Sequence, residues 1–477
     1  MSVKTKTLAV ALSTGLVIGG LTGIPGLTHT FADSSVKKDT VSQMQKAPKN
    51  VIVMVGDGMG LGQLEIARLM EYGKEGKLQM EQLDNVALMR TYSADNYVTD
   101  SGAAGTAIAT SVKTNNESIG VDANGNEVDS ILDLFQASGK KVGLISTNTV
   151  VDATPAAFGS SAPNRWSGSD EIARQLYNSD IDVILGGGAS YFSPEKQSGT
   201  DLVEKFREEG YAFASDKDEL ENVGTPDKLL GLFHPSYMNY KLDVEENKSN
   251  EPTLNEMTAK ALDVLSKGKN GFFLMVEGAR IDHAAHAADV PGVWKETIEF
   301  DNTVKDVVEW AKGRKDTLVV VLADHETMGM SAAETMEIEA LKEIEVSPEY
   351  MAGRLKKDDN GEFTTDSVKS VFKEYANIDL SDEDVAQFLQ NIKDNEGTVY
   401  PQHKVGWEIG SVIAKRYKVG VIDREVRAES STGGHTGNMV PVFATGVGSE
   451  RFEGVLDNTD VSKLIAEAAK LKTIPGE

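Results

Sequence analysis

The sequence predicts an α/β fold, a three-layer sandwich with a mainly parallel central sheet, helices on both faces, and a mostly helical insertion. Three observations carry that expectation. Short runs of unbroken bulky hydrophobicity, such as Phe272 to Val276, have the composition of strands buried on both faces. Segments with helical spacing lie between them, such as Trp294 to Lys312 with Ile298, Val304, Val307, Val308 and Ala311 on one stripe. The runs also end in chemistry: Asp57, Asp152, Glu277, Asp282, His286, Asp324 and His325 all fall just after predicted strands, at the carboxyl edge where open sheets of this kind place their sites.

In chain order, Met1 to Ala32 reads as an export signal, with Lys4 and Lys6 ahead of an apolar run from Leu8 to Ile24 and a small-x-small cleavage site at Thr30-Phe31-Ala32. Residues 33–49 are polar and read as a flexible mature N-terminus. The protein is therefore expected to be secreted or associated with the cell wall. No other stretch is long and apolar enough to span a bilayer, so no membrane span is expected in the mature chain.

Val51 to Val55 is the first strand, running into Gly56-Asp57-Gly58-Met59-Gly60. Glycines on both sides of the carboxylate allow a sharp turn that should leave Asp57 exposed at the strand end. The turn has neither the dinucleotide spacing nor the Lys-Ser/Thr pair of a phosphate loop, so Asp57 reads as a ligand in its own right. Gln63 to Tyr72 continues as a helix. Asp100-Ser101 precedes a small-residue helical run, which places Ser101 at a helix N-terminus, either as a simple cap or as a residue facing an anion. Lys141 to Ser146 is a strand, and Asp152 and Thr154 beyond it offer two hard oxygens suited to magnesium. Arg165, on what reads as a loop, is either a surface ion pair or a bidentate phosphate clamp.

Ile181 to Leu185 is a further strand, and Ser193 to Leu254 is mixed and acidic. Glu256 to Leu265 is a helix leading to Phe272–Val276, after which Asp282 and His286, four apart, would share one helix face while His283 points a quarter-turn away. Thr317 to Ala323 is a β-branched strand ending in Asp324-His325-Glu326. Residues 328–428 have a different texture, rich in lysines and acids with helix-capping signals at Ser347-Pro348 and Ser381 to Asp384, and read as an inserted subdomain. The sheet domain is then 50–327 with 429–477. His435 sits in the small-residue loop Ser430 to Gly437, Val440 to Ala444 returns as a strand, and Ser462 to Leu471 is a last amphipathic helix.

Bulk properties narrow the function. The formal charge of −26 over 477 residues argues against a nucleic-acid-binding role, and an anionic substrate would need local attraction from bound cations. With no cysteine, any transition metal is held by His, Asp and Glu, and only seven histidines exist to do it. So many acids on one sheet edge would repel one another without cations.

Together these motifs resemble the alkaline phosphatase family: Asp57 in VGDGMG, Asp100-Ser101-Gly102-Ala103-Ala104, Asp152-Ala-Thr154-Pro, Arg165, VEGARIDHAAH, ADHE and GGHTG appear in that family's order and spacing. The resemblance spans roughly Asn50 to Ala323 and Thr432 to Ala466. It implies a broad-specificity phosphate monoester hydrolase working through a phosphoserine on Ser101, with two zinc ions, one magnesium ion and a homodimeric state. By the same resemblance Asp282, His286 and His435 would hold the first zinc, and Asp57, Asp324 and His325 the second, which also contacts Ser101. Asp57, Asp152, Thr154 and Glu277 would hold the magnesium, and Arg165 would grip two phosphate oxygens. His283 stands at a position that varies among relatives, which leaves the identity of the third ion open. Two rivals are a phosphodiesterase of the same superfamily and an exported protein that only stores divalent cations; neither explains Ser101 together with Arg165.

Overall fold

The computed structural model describes residues 47–473 and 475–476. The expected leader, its cleavage site and His29 lie outside the described residues, as does most of the polar tail. The strands are β1 (Asn50–Gly56), β2 (Asn85–Arg90), β3 (Lys141–Thr149), β4 (Val183–Gly187), β5 (Ala212–Ala214), β6 (Leu229–Leu232), β7 (Phe272–Gly278), β8 (Thr317–Leu322), β9 (Glu326–Thr327), β10 (His435–Thr436), β11 (Val440–Gly446) and β12 (Gly454–Asp457). Ten of them form one sheet in the order β12-β2-β11-β8-β1-β7-β3-β4-β6-β5, in which β11 alone runs antiparallel to its neighbours.

Strand β7 shows why the sheet is covered on both sides. Successive side chains of a strand point to opposite faces. Phe273 packs on Phe135 and Phe158, from the helices Ile131–Ala137 and Ala153–Gly159. Phe272 packs on Trp310, from the helix Val290–Ala311. Both phenylalanines are fully buried, so each face of the strand meets a helical layer, as the unbroken apolar runs require.

Four strands of this sheet carried no legible pattern in the sequence, and neither did the two-residue β9 and β10. β2 and β12 lie at one edge of the sheet, β2 mixed in burial and β12 largely exposed, and neither has an unbroken apolar run. β5 and β6 lie within the stretch that read as mixed and acidic; they are three and four residues long, too short to show a pattern. Between β9 and β10 the chain forms six helices: Ile338–Lys342, Pro348–Arg354, Thr365–Ala376, Asp382–Asn391, Gln402–Arg416 and Arg424–Glu429. β9 and β10 pair antiparallel, His435 opposite Thr327, so the two ends of this excursion meet next to each other. No helix among the described residues is long and apolar enough to cross a membrane.

Candidate active site

Strand register delivers the first set of acids. Val55 of β1 lies opposite Glu277 of β7 and opposite Leu322 of β8, so Asp57, Glu277 and Asp324 emerge side by side where the three strands end. Gly58 follows Asp57 with a φ of 69°, and a Cβ there would come within 2.9 Å of Asp282 atoms. The glycine thus lets the β1 turn press against the helix Arg280–His286. That contact buries Asp57, contrary to the exposed position expected from its turn.

Asp282, His286 and His435 form one group whose ligand atoms lie within 4.8 Å of one another. His286 Nε2 is 3.2 Å from Asp282 Oδ2 and 3.2 Å from His435 Nε2. Their Nδ1 atoms donate outward, from His286 to the Gly433 carbonyl at 2.8 Å and from His435 to the Thr99 carbonyl at 2.9 Å. Those bonds place a proton on Nδ1 of each ring and turn both Nε2 atoms toward one point; burial would lower His286, but Asp282 beside it holds it above its ordinary value. Burial pushes His435 down to about 3, which keeps it neutral. Burial would raise Asp282, but His286 beside it outweighs this and holds the carboxyl well below its usual range.

The second group centres on His325 Nε2. Ser101 Oγ lies 3.1 Å from it, Asp324 Oδ2 3.2 Å and Asp57 Oδ1 3.4 Å. Asp282 also belongs here, since Asp57, Asp282 and His325 form a second close group, so this carboxylate stands between the two sites. Asp57 Oδ1 and Asp324 Oδ2 are buried with no hydrogen-bond partner. Burial pushes Asp324 up to about 7, and Asp57 is pushed well up by burial and then by Asp324 and Asp282. His325 is pushed down to about 4 by burial. Buried carboxylates with unpartnered oxygens around a neutral imidazole can hold a divalent metal ion.

A third set is made only of oxygens. Glu277 Oε2 accepts from Ser146 Oγ at 2.5 Å, while Glu277 Oε1 and Thr154 Oγ1 are buried without partners. Burial pushes Glu277 up to about 8. These hard donors beside Asp57 fit magnesium. Both oxygens of Asp152 accept from Arg165 Nη2 at 3.1 Å, and Oδ2 also accepts from Asn148, so this carboxylate links the oxygen set to the arginine.

Asp100, not Ser101, is the N-cap of the helix Ser101–Thr110, accepting from Ala103 N at 2.9 Å. Ser101 is the first residue of that helix, and its hydroxyl is free to face His325. Arg165 opens the helix Arg165–Asn178, capped by Asn164, and does not lie on a loop. Its guanidinium bridges Asp100 Oδ2, at 3.1 Å from Nη1, and Asp152, and the two carboxylates outweigh burial to hold it charged. Ser101, Asp152, Arg165, Asp282, His286 and His435 all line one cleft of about 930 Å³.

His283 faces away from His286 as its helical position predicts, with Nδ1 2.5 Å from Arg280 Nη1 and its ring against Tyr237. His234 accepts from Ser236 N through Nδ1, and His403 lies edge-on to Trp407. Three participants carried no sequence signal. Thr327 Oγ1 donates to Asp282 Oδ1 at 2.6 Å and lies 3.3 Å from His325 Nδ1. Arg280 is buried against the ring of Tyr240, 3.5 Å from its centroid. Trp407, from the helix Gln402–Arg416, stacks on His286.

Comparison with known proteins agrees with this geometry. The family model described as alkaline phosphatase matches residues 48–471. Alkaline phosphatase 4 of Bacillus subtilis is 34% identical over 98% of this chain and 98% of its own. The solved alkaline phosphatase of Thermus thermophilus superposes with a TM-score of 0.78 at 28% identity, covering 90% of this chain and 93% of that one. A variant of the alkaline phosphatase from the Antarctic bacterium TAB5, described as having Mg bound in its M3 site, superposes with a TM-score of 0.63 at 27% identity, covering 90% and 100%.

Proposed function

Because the chain belongs to the alkaline phosphatase family, a family of metal-dependent phosphomonoesterases, we propose that Ser101 is the nucleophile and that phosphate monoesters are hydrolysed through a phosphoserine. The observation that carries the reading is the meeting of Ser101 Oγ, Asp57 and Asp324 at His325 Nε2, within 3.4 Å. Zinc held by Asp282, His286 and His435 and by Asp57, Asp324 and His325, with magnesium near Asp57, Asp152, Thr154 and Glu277, would supply Lewis-acid charge that lowers the pKa of the attacking oxygens and neutralises the leaving one.

The residues divide the rest of the work. Ser101 Oγ attacks phosphorus, the alcohol leaves, and water then attacks the phosphoserine from the side the alcohol left. Two inversions retain configuration at phosphorus. Arg165, already oriented by Asp100 and Asp152, would hold two non-bridging oxygens of the phosphoryl group. The helix beginning at Ser101 points free N–H groups at the same anion. Residues 328–428 would form a helical insertion into a catalytic domain of 50–327 and 429–477, a division supported by the pairing of β9 with β10.

Hydrolysis of a nitrophenyl monoester and of its diester, before and after chelation, tests the reading. Monoester preference, loss of activity on chelation and a phosphoserine at Ser101 trapped by acid quench are expected. Ser101→Ala should cut turnover by several orders of magnitude with metal content intact. Unchanged turnover in that variant, or a diester preference, would refute the proposal.

A further inference from the structure

The six helices between β9 and β10 bring two contacts to a single ligand of the site, His286. The indole of Trp407 stacks on the His286 imidazole with centroids 5.0 Å apart and planes 15° from parallel. The Nε2 edge of that imidazole meets His435, Nε2 to Nε2 at 3.2 Å. The His286 ring is therefore fixed by Trp407 on one face and by the Gly433 carbonyl at Nδ1, and turning it out of the site breaks both contacts. Arg427 Nη1 donates to the backbone carbonyl of His286 at 3.1 Å and to that of Trp407 at 3.3 Å. Its Nη2 donates to Glu408 Oε1 at 2.8 Å, and Arg424 holds the other oxygen of Glu408 at 2.6 Å. Gly433 closes the arrangement: a Cβ there would lie 3.2 Å from His286 Cε1 and 3.3 Å from Trp407 Cη2.

We propose that Trp407 and Arg427 are positioning residues that retain the cation held by Asp282, His286 and His435, so that the segment between β9 and β10 sets how fast that ion leaves. The inference rests on the metal centre proposed above. Ligands His325, Asp324 and Asp57, by contrast, lie on or next to strand ends and are braced by Thr327 and the Gly58 amide, so none of these three is held by Trp407 or Arg427. An imidazole fixed in plane and tautomer by its surroundings loses less freedom on binding a cation, and disturbing such outer contacts typically weakens metal affinity ~10–100-fold.

The test uses the intact zinc-loaded protein and follows zinc release to an excess of chelator with a zinc-sensitive dye. In the wild type two release phases are expected. Trp407→Ala should speed one phase ~10-fold or more and leave the other within about twofold. Trp407→Phe, which keeps a ring over His286, should stay near the wild-type rate. If Trp407→Ala does not fold, Trp407→Leu replaces it with the same expectation. Release curves of the Ala or Leu variant that superpose on the wild type, or an equal acceleration of both phases, would overturn the retention role alone. A wild-type protein that takes up no zinc would overturn the metal centre and this inference with it.

Discussion

His286 and His435 present their Nε2 atoms to each other at 3.2 Å while both Nδ1 atoms are committed to carbonyls. Asp282 favours a proton on His286, and a cation between the two Nε2 atoms would displace it and be ligated by both rings. At this scale the least visible contributor is Thr327, whose hydroxyl ties Asp282 to His325. Thr327→Val keeps the shape and removes both bonds. Zinc affinity measured by chelator competition should fall ~10–100-fold in that variant, with Thr327→Ser close to wild type. The ligands themselves were readable because acids and imidazoles directly after apolar strands are chemically out of place. Thr327 was not readable, since a threonine two residues after a histidine is ordinary until the fold turns it toward Asp282. Asp57 was misjudged as exposed because burial of that carboxylate depends on a helix more than 200 residues away in the chain, as the 266-residue separation of its Gly58 neighbour from Asp324 illustrates.

At the scale of elements, the helices of the segment between β9 and β10 sit against the helix that carries Asp282 and His286. Gly410 of the helix Gln402–Arg416 makes that approach possible, since a Cβ there would lie 1.7 Å from the Ala287 carbonyl oxygen, just past the end of the ligand helix. Gly410→Ala is therefore expected to push the two helices apart and to destabilise the protein by about 1–3 kcal/mol. Its thermal midpoint should drop, and zinc retention should fall with it. The central strands were legible as uninterrupted apolar runs because both of their faces are covered. The edge strands β2 and β12 were hidden because their composition reflects solvent on one side, and Arg165 passed for a loop residue because its helix has only a sparse apolar stripe of Ile172, Ala173 and Leu176.

At the scale of the molecule, several acids outside the site are also buried. Asp289 and Glu296 are pushed up to about 8 and Asp301 to about 6, in each case by burial. Their carboxyls bind protons more tightly in the folded chain than in the unfolded one, whose carboxyls titrate near 4. Stability from these groups is fully present below that value and is lost as pH rises through 6 to 8. Asp289→Asn, which can still cap the helix Val290–Ala311, should raise the thermal midpoint at pH 9 more than at pH 5. The site acids follow the same sign when no cation is bound, with Asp324 near 7 and Glu277 near 8. The rise in thermal midpoint on adding zinc and magnesium to chelated protein should consequently be larger at pH 9 than at pH 6. An equal rise at both values would show that these acids do not carry the cations.

The sheet order also has a consequence in time. β2 is made early, yet both its neighbours, β11 and β12, come from the last part of the chain, and Asn85 finds its partner Ser449 364 positions later. A nascent chain leaving the ribosome therefore holds this strand unpaired until almost the whole polypeptide has emerged. His435 arrives only then as well, so the group it forms with Asp282 and His286 is complete only once β10 has been made.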